Sequence, residues 1–148
     1  CALPISDGEI VERNTPEIKK GVFPSSLAKA MRGILESVVL DGTGSAAAAP
    51  SYTTAGKTGT AEKFDREAMQ YSKNKRIANF AGLAPVKDPH LVIFVAIDEP
   101  TQKPYYGGKW AAPVFSEIAE QSLKYMNVAP DRPTAALEPK PTGSTQGG

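Results

Sequence analysis

Cysteine and histidine are almost missing from this chain: Cys1 and His90 are the sole residues of their kinds among 148. A single cysteine excludes an internal disulfide framework and any cysteine-based zinc site. A single histidine, next to Pro89 in a turn, can assemble neither a metal cluster nor a Ser/His/Asp triad without more partners, so His90 reads as a solvated loop residue. Excess charge is missing too. The 17 basic and 16 acidic side chains give a formal net charge of +1 and are dispersed along the chain, leaving no electrostatic footprint for nucleic acid or an anionic membrane surface. No apolar run approaches the roughly 20 residues that span a bilayer, Leu91 to Ile97 being the longest, and no basic stretch followed by an apolar one opens the sequence. Neither a dinucleotide glycine pattern nor a phosphate loop is present, so no cofactor and no metal is expected.

What the chain does have is Tyr52 to Ala61, reading Tyr-Thr-Thr-Ala-Gly-Lys-Thr-Gly-Thr-Ala. Small and β-branched residues predict a strand, and Gly56 and Gly59 leave it bare on either side of a lysine. Glycine inside a strand costs stability, so this pair predicts a close approach to the backbone, with a ligand as the natural candidate. The ammonium of Lys57 and the hydroxyls of Thr58 and Thr60 can hold a carboxylate through charge-assisted hydrogen bonds. Gly59 lets an extended peptide pair along the strand edge. The plainer alternative is an edge strand whose exposed lysine deters aggregation.

Around this stretch the pattern predicts an antiparallel arrangement. Ile5 to Val11 reads as a strand with Asp7-Gly8 as a turn, in an opening, residues 1 to 24, that lacks a start signal, as an interior segment would. Leu27, Ala30, Met31, Ile34, Leu35, Val38 and Val39 give an amphipathic helix over about 25 to 40, stopped by Asp41-Gly42-Thr43-Gly44. Ala46 to Ala49 and Pro50 form a short linker. Glu62 to Lys75 is polar and charged and reads as a long mobile loop. Arg76 to Ala84 and Leu91 to Ile97 form a hairpin, joined through Asp88-Pro89-His90, which with the lysine strand makes three strands. Leu91 to Ile97 is apolar on both faces, the pattern of a strand covered above and below. Pro113 suits the first turn of a helix running to about Met126, with Ala111, Val114, Phe115, Ile118, Ser122 and Tyr125 on one face. Residues 129 to 148 are rich in proline, glycine and small polar residues and read as a disordered tail.

Lys57-Thr58-Gly59 is the third element of the motif trio of penicillin-binding proteins and class A β-lactamases. Asp41-Gly42-Thr43-Gly44 precedes it, and Phe80-Ala81-Gly82-Leu83-Ala84-Pro85, Ile97-Asp98-Glu99-Pro100, Tyr105-Tyr106-Gly107-Gly108 and Ala111-Ala112-Pro113-Val114-Phe115 follow. In that order the chain resembles, from Ile10 to Asp131, the C-terminal part of the transpeptidase domain of class B penicillin-binding proteins, with the division- and spore-specific branch matching best. The resemblance implies an α/β fold, an antiparallel sheet flanked by helices of the penicilloyl-serine transferase type. Residues 1–128 would be the C-terminal portion of that domain. It also implies serine-type D,D-transpeptidation of peptidoglycan stem peptides, with β-lactams acylating the same serine. Lys57 would tune the electrostatics around nucleophile and substrate, and the Thr58 and Thr60 hydroxyls would bind the substrate carboxylate. The Thr60 N–H would be an oxyanion donor, with Gly59 part of the substrate wall. Expected partners are the stem peptide or a β-lactam, the N-terminal half of the same domain, and division-complex proteins. The parent protein would be anchored on the extracytoplasmic side of the inner membrane. Tyr105-Tyr106-Gly107-Gly108 is read as a packed turn rather than a groove rim.

Ser26-Leu27-Ala28-Lys29 and Ser72-Lys73-Asn74 also satisfy the first and second motifs of the trio. Both are rejected here, because Ser-x-Asn falls after Lys-Thr-Gly and the helix from Ser25 corresponds to the one just before the lysine strand. The nucleophile is therefore expected outside this chain. A non-catalytic β-lactam-sensing or division-complex module of the same fold is the alternative. A β-lactamase fits the Asp-Glu-Pro and Tyr-Tyr-Gly-Gly blocks less well.

Overall fold

The computed structural model describes Ile5, Ser6, Glu9, Ile10 and residues 17–132. Helix α1 spans Ser25–Leu40, matching the expected bounds. It stops where Asp41 N–H returns to the Ser37 carbonyl at 3.0 Å and Gly44 N–H to the Val38 carbonyl at 3.1 Å. A short 3₁₀ turn, Ser45–Ala47, follows. The alanine linker is not a loose one, since Ala47 and Ala49 are fully buried. The central sheet is three-stranded, with β3 (Ala55–Asp65), β4 (Gln70–Ala84) and β5 (Leu91–Asp98) in that order and antiparallel. At the start of the chain, the stretch Ile5 to Val11, expected to be strand with a turn at Asp7-Gly8, holds two short strands, β1 (Ile5–Ser6) and β2 (Glu9–Ile10), paired antiparallel; Asp7, Gly8 and Val11 lie outside the described residues.

Helix α2 spans Gly107–Tyr125 and lies across one face of the sheet. It begins nearly two turns before Pro113, which sits inside it on the exposed side. There the ring removes one intrahelical hydrogen bond without leaving a buried carbonyl orphaned. The buried stripe is accordingly Ala111, Ala112, Phe115, Ala119 and Leu123, which keeps Ala111 and Phe115 of the expected face, whereas Val114, Ile118 and Tyr125 are exposed. The alanines let the helix approach Ala78, Phe80 and Ala84 of β4, and the Phe80 and Phe115 rings pack with centroids 4.8 Å apart. Such a pair adds about 1 kcal/mol to the area it buries.

Glu62 to Lys75 is a β-hairpin arm rather than a loop. β3 continues to Asp65 and β4 starts at Gln70, with Phe64 edge-on to Tyr71 at 5.4 Å and Glu62 paired to Arg76 at 2.9 Å. The Asp65 carboxylate accepts the N–H groups of Glu67 and Ala68 in the turn, which holds its pKa below the ordinary range. Composition hid this arm because both of its faces are solvated, so cross-strand pairs rather than apolar alternation stabilise it. Lys63 anchors it by reaching Asp98 and Glu99 at 2.7 Å each.

β5 also departs from expectation. Leu91, Ile93, Val95 and Ile97 face α2 and the core, while Val92 (83% exposed) and Phe94 (65%) face away. Among the described residues nothing covers that second face, and the outer edge of β5 has no partner strand. Asp131 and Arg132, read from sequence as part of the tail, are held instead: Asp131 accepts from Thr53, and Arg132 donates to the Ala49 carbonyl at 2.7 Å. The rest of the tail, 133–148, lies outside the described residues.

Candidate active-site cleft

Residues alternate across β3, so Thr58 and Thr60 face α2 while Lys57 and Gly59 face the opposite side. Thr58 and Thr60 line a cleft of about 440 Å³ together with Gly59, Thr43 and the segment Tyr106–Lys109. Lys57 is exposed but does not line it; its Nζ donates to the Thr58 carbonyl at 3.0 Å. The structure therefore brings three of the four sequence-predicted residues into one cavity, and the Lys57 Nζ, though not in its lining, reaches the Thr58 hydroxyl at 3.4 Å.

Sequence reading missed the opposite wall. Tyr106, Gly107, Gly108 and Lys109 form the N-terminal turn of α2; the Lys109 N–H returns to the Tyr106 carbonyl at 3.0 Å, while those of Gly107 and Gly108 have no partner within the helix. No acidic residue occupies that turn, so the positive end of the helix faces the same cavity as the threonine hydroxyls and favours an anion there. The turn comes this close only because of its glycine: a Cβ on Gly107 would strike the carbonyl oxygens of Asn79 and Gly59. Tyr106 is 66% exposed and stands at the rim. The expected packed turn is thus a groove wall, because its glycines pack while its second tyrosine does not. Lys109 directs its Nζ away, to the Lys103 carbonyl at 2.9 Å and over the Trp110 ring.

Thr43 was also missed, having been read as part of a helix stop. Its hydroxyl lies 3.0 Å from that of Thr58. The glycines of β3 have a different explanation from the one expected of them. A Cβ on Gly56 would meet the Phe80 ring and one on Gly59 the Asn79 side chain, so the protein's own neighbours, not a ligand, occupy the space beside them.

The two rejected motifs lie elsewhere. Ser26 and Lys29 are on the exposed first turns of α1, and the Ser72 hydroxyl is engaged with the N–H groups of Asn74 and Lys75. His90 is in the β4–β5 connection, 3.5 Å from Asp88. Among the described residues no cluster of His, Cys, Asp or Glu could hold a metal ion, and no helix is long and apolar enough to cross a membrane.

Behind the cleft, the segment entering β3 is clamped to α2. Glu120 accepts Ser51 N–H at 3.0 Å, Ser51 Oγ–H at 2.6 Å and the Lys124 ammonium at 2.9 Å. Burial alone would raise its pKa, but the hydrogen bonds from Ser51 and Lys124 outweigh it and hold the carboxyl below the ordinary range. Tyr52 Oη–H donates to the Val128 carbonyl at 2.8 Å.

Comparison with known proteins bears on this geometry. The profile of the penicillin binding protein transpeptidase domain matches residues 4–120. The chain is 41% identical over 122 residues to a probable peptidoglycan D,D-transpeptidase, PenA, of Neisseria meningitidis, covering 82% of the chain and 21% of that protein. It is 41% identical over 120 residues to the stage V sporulation protein D of Bacillus subtilis, covering 81% and 18%. The apo transpeptidase domain of Burkholderia pseudomallei penicillin-binding protein 3 superposes with a TM-score of 0.69 at 39% identity, over 85% of the chain and 38% of that domain. The chain thus spans about a fifth of the length of the curated relatives it matches.

Proposed function

Because the chain belongs to the transpeptidase-domain family of penicillin-binding proteins, with the penicilloyl-serine transferase fold of its solved relatives, we propose that it forms the Lys-Thr-Gly wall of a peptidoglycan D,D-transpeptidase. The observation that carries this reading is the cleft in which Thr58 and Thr60 face the N-terminus of α2 at the free edge of β3. Such a site takes the terminal carboxylate of a stem peptide ending in D-Ala-D-Ala, with the peptide extended along the strand. A serine outside these 148 residues attacks the penultimate carbonyl. The Thr60 N–H helps to stabilise the oxyanion, the terminal D-Ala leaves as the amine, and an amine of a second stem peptide displaces the serine from the acyl-enzyme. A β-lactam acylates the same serine by ring opening. Lys57, whose Nζ rests against the Thr58 carbonyl and hydroxyl, supplies positive charge to nucleophile and substrate.

Residues up to about 128 are the end of the catalytic domain in this reading. The complete protein acts at the cell envelope, anchored in the inner membrane by sequence beyond this segment, with the rest of its own domain and division-complex proteins as neighbours. Labelling with fluorescent penicillin tests the proposal. The complete protein should form a stoichiometric adduct on a serine outside the segment, and the 148-residue chain alone should form none. An adduct mapped to Ser26 would overturn the assignment of the nucleophile, and an unlabelled complete protein would favour a non-catalytic module of this fold.

A further inference from the structure

The threonine cleft does not end at Tyr106. Thr60 and Tyr106 also wall a second hollow of about 250 Å³ that runs on to Arg76, Lys103, Pro104 and Tyr105. At the other end the first cleft is closed, where Thr43 meets the Thr58 hydroxyl and its carbonyl lies against Gly108. An extended peptide with its carboxylate on Thr58 and Thr60 therefore leaves toward Glu62, antiparallel to β3. At about 3.4 Å per residue, the residue before the terminal pair arrives at the second hollow.

That hollow holds two cations in different states. Arg76 is neutralised by Glu62 at 2.9 Å and donates further to the Ser72 and Lys75 carbonyls. Lys103 is exposed and, among the described residues, forms no ion pair. The turn that carries it is pinned to α2: Lys109 Nζ donates to the Lys103 carbonyl at 2.9 Å, and Trp110 Nε1–H points at the carbonyls of Gln102 and Pro104 at 3.2 and 3.1 Å. The ammonium thus springs from a fixed point beside the path of the peptide, with its charge unspent.

We propose that Lys103 is a specificity-determining residue, selecting acyl-donor peptides that carry a side-chain carboxylate on the residue immediately before the D-Ala-D-Ala pair. This rests on the transpeptidase reading of the threonine cleft. The contact is solvated, so the preference it can generate is modest, about fivefold.

The test uses the complete protein and two synthetic donor peptides ending in D-Ala-D-Ala, one with a carboxylate on the preceding side chain and the other with the isosteric carboxamide. The unmutated protein should favour the carboxylate donor about fivefold in kcat/KM. Lys103→Arg should keep the preference, Lys103→Ala should abolish it and Lys103→Glu should invert it. A preference that survives in Lys103→Ala, or none in the unmutated protein, overturns the assignment. Benzylpenicillin has no such preceding residue, so its acylation of the unmutated protein checks the underlying reading separately. Failure there would remove the transpeptidase itself, whereas success there with no donor preference would remove only the role of Lys103.

Discussion

Thr43 and Thr58 meet hydroxyl to hydroxyl at 3.0 Å, tying the turn that ends α1 to the strand that carries Lys57. One hydroxyl donates to the other, so the Thr58 hydroxyl is oriented before any substrate carboxylate arrives. A hydrogen bond of this kind contributes about 1 kcal/mol net. Thr43→Val, which keeps the shape and removes the hydroxyl, should slow penicillin acylation of the complete protein about fivefold, while Thr43→Ser stays near wild type. Equal rates for the valine variant and wild type would show that Thr58 needs no such partner.

Thr60 lies opposite Ala78 in the β3–β4 ladder and at the mouth of the cleft. Thr60→Pro deletes its N–H, the donor assigned to the oxyanion, and a lost donor of that type costs about 10² to 10³ in rate. Lys57→Ala should cost at least about tenfold, through the loss of charge-assisted hydrogen bonding. Ser72→Ala should acylate at nearly the wild-type rate, since that hydroxyl only closes a local turn. Stopped-flow acylation with a matched thermal melt separates these outcomes from misfolding. A normally folded Thr60→Pro protein acylated at the wild-type rate would remove Thr60 from the oxyanion site.

Glu120 joins α2 to the segment leading into β3, through Ser51 and Lys124. Its folded pKa lies below the ordinary 4.5, so its carboxylate stabilises the fold fully above that value. This contribution is lost as the pH falls through the lower, folded value. Melting temperature of the complete protein should therefore decline below about pH 4.5 with a component that Glu120→Gln lacks. At neutral pH the glutamine variant should be less stable, with the gap closing in acid. Parallel melting curves across that range would place the acid sensitivity elsewhere.

Local signals and tertiary ones were unequally legible in the sequence. Helix α1 could be bounded because apolar spacing and the Asp41-Gly42 stop are local, and the β4–β5 hairpin because two apolar runs flank a turn. The same local rules misplaced the start of α2. Pro113 is a strong local signal for a helix start, yet the close seat of Gly107 on the backbone of β3 and β4 lets the helix begin earlier. At the site, Thr58, Gly59 and Thr60 were found through their motif, but Thr43 and Tyr106 enter the cleft only by tertiary approach across 15 residues or more. No periodicity marks such residues. Glu62 to Lys75 was misread because a two-faced solvated hairpin carries no apolar alternation, its evidence being the pairing of Phe64 with Tyr71 and of Glu62 with Arg76.

The uncovered face supports a last prediction. Val92 and Phe94 on β5 and Leu27, Met31 and Ile34 on α1 are exposed apolar side chains, the α1 trio belonging to the amphipathic stripe and the β5 pair to a strand apolar on both faces. Apolar residues at regular spacing on both a helix and a strand mark surfaces meant to be covered, and the outer edge of β5 adds unpaired backbone groups to them. In the proposed complete domain the remaining transpeptidase sequence covers both. The isolated 148-residue chain should then bind a hydrophobic dye, self-associate as concentration rises, and exchange alternate amides of Leu91–Asp98 rapidly. The amides bonded to β4 should be slower, since that ladder is present already. In the complete protein all of them should be protected and the dye signal lost. Addition of the complementary part of the domain in trans should move the exchange pattern the same way, because the surfaces it needs are already displayed on a sheet whose opposite face α2 has packed. A monomeric isolated chain with uniform protection across β5 and no dye binding would show that this face is stable in water and needs no cover.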